Sequence, residues 1–363
     1  MLASDRSTER AKAFSMHRLA SRADVGCSRF SQLGQQAGRP MIARSNVLAQ
    51  TLSRGSRTLA GDGYALPKWP AGWLLIWALF SASPCPGAPE KKAPPKVDVT
   101  LRTKDGVNLR CAYYPGTQGK NTVPVIFLHG WKGQGAEYSG LVNFLRDNGH
   151  HWAMIVPDLR GHGRSTTRTL RVGIKPEEIQ PDRMGPDDIR SMFRFDLEAV
   201  KKFLMEKHNA GELNIELLCV VGAEMGATVA VNWAALDWSW PRLPTYKQGQ
   251  DVRALVLLSP PRTFKGVRTQ QALNHRAVRN LLSVMIIHGQ QNASDARQVY
   301  NSLQRWHDPE QNDLELVPVE SPHEGVHLLD RTVALQIAQF VQRRLIDLNS
   351  RYPWRERISP LSN

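Results

Sequence analysis

The chain has few cysteines, and they do not form the pattern of a metal site or of a disulfide framework. Its 363 residues include Cys27, Cys85, Cys111 and Cys219, and no two of these form a C-x-x-C pair. Cys111 and Cys219 lie in apolar, strand-like runs, where buried free thiols are expected. The histidines lack the spacing of metal ligands, and no glycine-rich phosphate-binding loop is present. We therefore expect no metal and no organic cofactor.

The chain also lacks a dense run of Lys and Arg with interleaved aromatics, although it is basic overall. Its formal net charge is +14, but residues 1–70 contain 11 Lys and Arg against 4 Asp and Glu and so carry half of that excess. The remainder is only mildly basic and shows no signature of a nucleic-acid-binding fold. We expect no nucleic-acid partner, and a small-molecule or peptide ligand stays open.

No hydrophobic run is long enough to cross a bilayer comfortably. The apolar segment at residues 71–80 follows Arg54, Arg57 and Lys68 and precedes small residues at 81–83, which is typical of a signal peptide. This pattern predicts an exported or cell-envelope protein. Prolines at 84, 86 and 89 disfavour several cleavage sites, so an uncleaved membrane anchor through residues 71–80 and a hydrophobic segment with no targeting role stay open.

Composition divides the chain into five parts. Residues 1–69 form a polar extension that is either disordered or the product of a misplaced start codon, with Met41 as an alternative start. Residues 70–88 contain the hydrophobic segment, and residues 89–96 are a Pro- and Lys-containing linker. Residues 97–349 have the periodicity of a globular domain, and residues 350–363 are a C-terminal tail.

Apolar periodicity predicts an opening β-hairpin followed by alternating strands and helices. The hairpin covers 97–103 and 107–114; further strands cover 123–128, 152–156, 215–221, 252–258, 282–287 and 314–319, and helices cover 134–148, 193–208, 225–236, 295–306 and 326–347. This order predicts an α/β fold with a mostly parallel, doubly wound sheet. Functional residues should then follow the carboxyl ends of strands.

Two strand ends carry motifs that resemble a known family. His129-Gly130-Trp131 follows the third strand, and Asp158-Leu-Arg-Gly-His-Gly-Arg-Ser165 follows the fourth. Together they resemble the α/β-hydrolase superfamily, in particular its lipase and serine-aminopeptidase-like branches, over nearly all of 97–348. The resemblance implies a sheet of the α/β-hydrolase type with a cap, here short and polar. It also implies that Trp131, beside Gly130, contributes a backbone N–H to an oxyanion hole.

The fifth strand leads into a sequence that fits the nucleophile elbow of this family. Gly222-Ala223-Glu224-Met225-Gly226 has the pattern Gly-x-nucleophile-x-Gly, in which the glycines permit a sharp, strained turn. Glu224 stands at the nucleophile position, and Met225 follows it as a ligand-binding candidate. Active lipases and peptidases of this type need a serine hydroxyl at that position, and this elbow has neither serine nor cysteine.

The remaining two positions of the catalytic triad are only partly retained. Asn292 stands where the family has an aspartate, and an amide cannot stabilise an imidazolium by charge. Asp295 either substitutes for that acid or serves as the N-cap of the next helix. His323 follows the last strand, at the place of the catalytic histidine. His327, predicted to lie in the last helix, is a weaker candidate.

Three functions are consistent with these residues. We favour a hydrolase-like protein with a degenerate triad, non-catalytic or weakly active. A carboxylate nucleophile resembling that of haloalkane dehalogenases and epoxide hydrolases is a second hypothesis, although the sixth strand ends in Ser259-Pro-Pro261 without a supporting acid. A third is ester or peptide-bond hydrolysis in which Glu224 and His323 activate water. The basic connection at 260–280 is either a solvated loop or a recognition element for anionic ligands.

Overall fold

A computed structural model describes residues 93–169, 175–244, 246–307 and 313–357. The N-terminal extension, the hydrophobic segment at 71–80 and half of the linker lie outside these ranges. The predictions of export and of membrane anchoring therefore concern residues that the structure does not describe. Within the described ranges, no helix has both the length and the apolar character needed to cross a membrane.

One eight-stranded sheet organises the domain and confirms the predicted fold class. The strand order is β1-β2-β4-β3-β5-β6-β7-β8, where β1 is Val97–Arg102, β2 Asn108–Tyr114, β3 Pro124–Leu128, β4 Ala153–Pro157, β5 Leu218–Ala223, β6 Val252–Leu258, β7 Ser283–His288 and β8 Leu314–Pro318. The opening hairpin pairs antiparallel, and β2 joins β4 antiparallel. All other neighbours are parallel, so the carboxyl ends of β3 to β8 lie along one edge.

In the described part of the chain, eight α-helices accompany the strands: α1 Ser139–Asp147, α2 Pro186–Ser191, α3 Leu197–Asn209, α4 Met225–Ser239, α5 Gln270–Leu273, α6 Arg276–Asn280, α7 Ala293–Gln304 and α8 Arg331–Val341. A π-helical segment, Met192–Asp196, joins α2 to α3, and another, Gln342–Ile346, extends α8. Single 3-10 turns lie at Gly119–Asn121, Gly135–Tyr138, Pro181–Arg183, Ile215–Leu217, Gly325–Leu328 and Asn349–Arg351.

The helices cover both faces of the sheet, as a doubly wound fold requires. Successive side chains of a strand point to opposite faces, and β3 shows this directly. Ile126 and Leu128 pack with α3, α4 and α7 on one face, whereas Val125 and Phe127 pack with α1 and α8 on the other. Because β3 is buried on both faces, it is apolar throughout rather than alternating.

Several predicted boundaries are wrong, and local hydrogen bonds explain two of them. The fifth strand begins at Leu218, because Asn214 accepts a bond from the Glu216 N–H and closes a 3-10 turn over 215–217. The last helix begins at Arg331 rather than 326, because the Asp330 side chain caps it. His327 therefore lies in the preceding 3-10 turn. The helix predicted to begin at residue 193 is preceded by further helical residues, which begin at Pro186.

Two short antiparallel ribbons form the cap over the carboxyl edge. Thr167–Arg168 pairs with Glu177–Glu178, and Thr263–Phe264 pairs with Val267–Arg268. The first ribbon and α2 give regular structure to the described part of residues 165–192. The second ribbon lies in the short basic connection after β6, which α5 and α6 complete.

Candidate functional site

Glu224 lies at a sharp turn between β5 and α4, where the sequence predicted a nucleophile elbow. Its backbone has φ 49° and ψ −108°, a conformation that costs a residue with a Cβ roughly 1–3 kcal/mol. The Glu224 N–H donates to the Leu258 carbonyl at 2.9 Å, which fixes the turn against β6. The strained geometry of the elbow is therefore present although the serine is not.

The glycines on either side of Glu224 are required by close approach of the backbone. A Cβ on Gly222 would lie 2.4 Å from the Gly226 carbonyl oxygen, and a Cβ on Gly226 would lie 2.3 Å from the Leu128 carbonyl oxygen. Both contacts are with backbone, which cannot move aside easily. The spacing Gly-x-x-x-Gly thus lets α4 start directly against β5 and β3.

The Glu224 carboxylate lies between two loops that both contribute a glycine. A Cβ on Gly130 would be 3.1 Å from Glu224 Oε2, and a Cβ on Gly325 would be 2.2 Å from Glu224 Oε1. Gly130 follows β3 and Gly325 follows β8, so the carboxylate fills the space where these two loops meet the elbow. Within the described residues, no donor hydrogen-bonds this carboxylate.

Burial determines the electrostatics of Glu224. Desolvation raises the pKa of this half-buried carboxyl, and the nearby charges of Glu324 and Glu137 raise its pKa further. The only opposing influence is His327, which lowers the pKa of Glu224. A carboxylate near a helix N-terminus is favoured by about 0.3–1 kcal/mol, but here burial and like charges outweigh that effect.

Trp131 lies on the other side of the elbow, under the cap. Its indole packs edge-on against His162 at 4.9 Å and against Phe264 of the cap ribbon at 5.5 Å. The Lys265 ammonium lies 3.9 Å from the centre of the indole ring. In the described part of the chain, no acceptor is hydrogen-bonded to the backbone N–H of Trp131 or of Met225. The Trp131 amide, which the resemblance assigns to an oxyanion hole, and the Met225 amide are thus free to bind a ligand.

The Asp158–Ser165 motif has a structural role beside the site. The Asp158 carboxylate accepts hydrogen bonds from the Gly135 N–H at 2.8 Å and the Arg164 N–H at 2.9 Å. Gly161 and Gly163 have φ +75° and +50°, a left-handed conformation that glycine adopts readily in a tight turn. Because His162 in this turn contacts Trp131, the motif also holds one wall of the site.

Asn292 and Asp295 lie at the start of α7, next to the carboxyl end of β7. Asn292 occupies the N-cap position without a side-chain capping bond, and Asp295 lies in the first turn. The prediction that Asp295 caps the helix is therefore wrong, because α7 begins at Ala293. Asp295 instead accepts from the Arg262 N–H at 3.1 Å and ties the cap connection to α7. The Asn292 Oδ1 is buried with no partner in the described part of the chain.

His323 lies on the loop after β8, but its ring faces outward. The side chain is exposed, and among the described residues its imidazole forms no hydrogen bond; its nearest ring neighbour is His327, at 6.4 Å between centroids. The backbone of this loop lies against the loop after β7, since the Gln290 N–H donates to the Ser321 carbonyl at 2.9 Å. The structure thus brings the β7 and β8 loops together without joining His323 to Glu224 or Asp295.

Three further residues shape the site and were not predicted from the sequence. Ser259, at φ 48°, accepts the Gly325 N–H on its Oγ at 3.0 Å and so holds the β8 loop against β6. Gly325, at φ 58°, leaves room for the Glu224 carboxylate. Glu324 adds negative charge beside it. The only sequence feature that points to Ser259 is the Ser-Pro-Pro after β6. By itself this pattern indicates only that no acid follows the strand.

The titratable side chains of the site do not form a metal-binding arrangement. Across residues 93–169, 175–244, 246–307 and 313–357, no group of three or more His, Cys, Asp or Glu side chains is placed to hold a metal ion. Cys111 and Cys219 are buried free thiols, as predicted.

Comparison with known proteins agrees with this geometry. Residues 123–278 match the model of a family described as the alpha/beta hydrolase fold. An esterase from Pyrococcus furiosus has a similar structure, with a TM-score of 0.50 and 18% identity over 69% of this chain and 91% of the esterase. A dienelactone hydrolase from Anabaena variabilis aligns with a TM-score of 0.43 and 14% identity, over 70% of this chain and 99% of that protein. No curated protein sequence matches the chain.

The sheet order, the elbow and the matched family model together define the class of this protein. The described domain has the α/β-hydrolase fold, and residues 123–278 match the model of that family. At the sharp turn between β5 and α4 the chain has a glutamate, Glu224.

Proposed function

We propose that the protein is a hydrolase-like member of this family with a degenerate triad, either non-catalytic or only weakly active. One observation carries the proposal: Glu224, His323 and Asp295 form no hydrogen-bonded relay. A triad works because the base accepts the proton of the nucleophile while the acid orients the base. Here the imidazole of His323 is exposed, and Asp295 accepts from the Arg262 backbone.

The position of Glu224 supports the same conclusion. Its carboxylate lies against Gly130, directly before Trp131, whose amide would have to stabilise an oxyanion. A negative charge at that place repels a developing oxyanion instead of stabilising it. The free amides of Trp131 and Met225 are compatible with binding of a small-molecule or peptide ligand, without turnover.

A second candidate, an active hydrolase of esters or peptide-like bonds, is favoured by one observation. The charge of His327 lowers the pKa of the Glu224 carboxyl. A carboxylate and an imidazole that share a water molecule can together activate it. In that case His327 would take the part that the sequence assigned to His323.

The two candidate functions predict different results in one assay. It measures hydrolysis of short-chain p-nitrophenyl esters and aminoacyl substrates by the purified full-length chain. The variants are Glu224→Ser, Glu224→Ala, His323→Ala and His327→Ala. We expect the native protein to show no turnover above Glu224→Ala, since general acid–base groups typically contribute about 10²–10⁴-fold and none is connected here.

Native turnover that disappears in Glu224→Ala and also in His327→Ala or His323→Ala would overturn the proposal and assign those residues a direct role. Activity that appears only in Glu224→Ser would support it, because the scaffold would then lack nothing but the nucleophile. Glu206→Ala on the exposed face of α3 is the control for nonspecific effects of removing a glutamate.

A further inference from the structure

A second cavity lies at the opposite edge of the sheet from the elbow. Its volume is about 550 Å³, and Glu216, Arg253 and the segment 351–357 contribute to its walls. Glu216 precedes β5 and Arg253 begins β6, so this cavity lies at the amino ends of the strands. The six residues of β5 separate it from Glu224 by roughly 20 Å at about 3.3 Å per residue. The cavity is therefore independent of the site described above.

The inner wall of the cavity is a layer of paired charges. The carboxylates of Glu216 and Asp251 pair with Lys247, Arg253 and Arg357: Arg357 bridges both carboxylates, Lys247 lies 3.0 Å from Asp251, and Arg253 lies 3.3 Å from Glu216. Each of these three cations is engaged with a carboxylate. This layer fixes the position of the chain segment that carries Arg357.

The outer wall carries positive charge that is not neutralised. Arg242, Arg351 and Arg355 line the cavity, and in the described part of the chain none of the three pairs with a carboxylate. Arg242 donates only through Nε to Gln250, at 2.8 Å. Glu356 is the one acid on this rim. Three guanidinium groups thus face a space large enough for more than one anionic group.

The outer arginines are held in place by the anchored tail. Asn214 donates to the Tyr352 carbonyl at 2.9 Å, and His208 Nε2 lies 2.7 Å from the Arg355 carbonyl oxygen. The Tyr352 ring also packs under the Arg253 guanidinium, at 4.6 Å. Fixing the backbone in advance reduces the entropy lost on binding a ligand.

We propose that this cavity binds a small ligand that carries phosphate groups, through Arg242, Arg351 and Arg355. Guanidinium forms bidentate, charge-assisted hydrogen bonds with phosphate oxygens, and a cluster of arginines favours a polyanion over a single carboxylate. The phosphate could belong to a free phosphate ester or to a lipid headgroup, because both present the same oxygens.

Isothermal titration calorimetry of the full-length chain with inorganic pyrophosphate tests the free-ligand source. Co-sedimentation with phosphatidic acid vesicles, against phosphatidylcholine vesicles, tests the lipid source. We expect saturable binding in at least one of these two experiments, with an affinity that falls as salt is raised. The double variant Arg351→Gln/Arg355→Gln should bind at least about ten-fold more weakly than the native chain. Arg276→Gln/Arg297→Gln removes the same charge from exposed positions on α6 and α7 and should bind like the native chain.

Saturation by pyrophosphate would assign the site to free phosphate esters. Saturation by phosphatidic acid vesicles alone, lost in the same double variant, would assign it to a lipid headgroup. No saturable binding in either arm, or equal weakening in both double variants, would overturn the proposal. Thermal unfolding of both variants excludes misfolding, since exposed substitutions change the free energy of unfolding by only about 0.5 kcal/mol.

Discussion

Glu224 shows how a fold can retain the shape of a catalytic residue without its chemistry. The positive φ and the bond to the Leu258 carbonyl belong to the backbone, so they persist whichever side chain is present. The side chain then occupies the space beside Gly130 and Gly325. A serine there would leave this space open, whereas a glutamate fills it and adds a buried charge.

That buried charge predicts a pH-dependent effect of Glu224→Gln on stability. Burial raises the pKa of Glu224 in the folded state, so ionisation costs the folded protein more than the unfolded chain. The cost is absent below the ordinary glutamate pKa of about 4.3, grows as pH rises through the folded-state pKa, and is complete above it. Glu224→Gln should therefore be more stable than the native protein at pH 8 and equally stable at pH 4.

Urea unfolding at both pH values measures this difference. Glu206→Gln, at an exposed position of α3, is the matched control and should show no difference that depends on pH. A gain in Glu224→Gln that is the same at pH 4 and pH 8 would show that the charge of Glu224 is not its cause.

At the scale of elements, the sequence predicted the sheet well and the loops poorly. Apolar runs such as Val125–Leu128 are buried on both faces, so hydrophobicity alone identifies them. The motifs around Gly130 and Glu224 were recognisable because each is local. The Ser259–Gly325 hydrogen bond joins residues 66 positions apart, and no local pattern predicts such a contact. For the same reason, the orientation of His323 and the partner of Asp295 needed the structure.

The start of α8 illustrates how one side chain sets a boundary that periodicity misplaced. Apolar spacing extends the helix back to residue 326, but the Asp330 side chain accepts the Val333 N–H at 2.7 Å and the helix begins at Arg331. Removing this cap in Asp330→Ala should cost about 1 kcal/mol in the free energy of unfolding. Asp330→Asn keeps an acceptor at the same place and should cost much less.

Chemical denaturation of both variants at neutral pH checks this boundary. Equal stability of Asp330→Ala and the native chain would mean that the cap does not define the helix start. The outcome bears on the site, because the 3-10 turn before this boundary carries His327 and also Gly325, which lies against the Glu224 carboxylate.

At the scale of the whole molecule, a buried ionic network ties the C-terminal segment to the sheet. Arg357 is 5% exposed and pairs with Glu216 and Asp251, 141 and 106 positions earlier in the chain. Lys201, on α3, joins the network at 2.9 Å from Asp251. No sequence pattern predicted this packing: composition separated a tail at 350–363 from the domain, and a single arginine in a polar segment has no periodicity to identify it.

Arg357→Met should therefore destabilise the protein at neutral pH, by at most about 3–5 kcal/mol, because two buried carboxylates lose one counter-charge and keep only those of Lys201, Lys247 and Arg253. Burial alone would raise the pKa of Asp251 and Glu216. Lys247 and Arg357 hold the pKa of Glu216 below its ordinary range, and Lys201, Arg357 and Lys247 do the same for Asp251. Carboxyls with lowered pKa values stabilise the fold above the ordinary carboxyl pKa of about 4 and lose that contribution as pH falls below it. The loss of stability in Arg357→Met should accordingly be largest above pH 5 and shrink in acid.

Urea unfolding from pH 7 down to pH 3 measures this loss, with the exposed Arg297→Met as control. A loss that stays constant over this range would assign it to packing of the arginine side chain rather than to its charge.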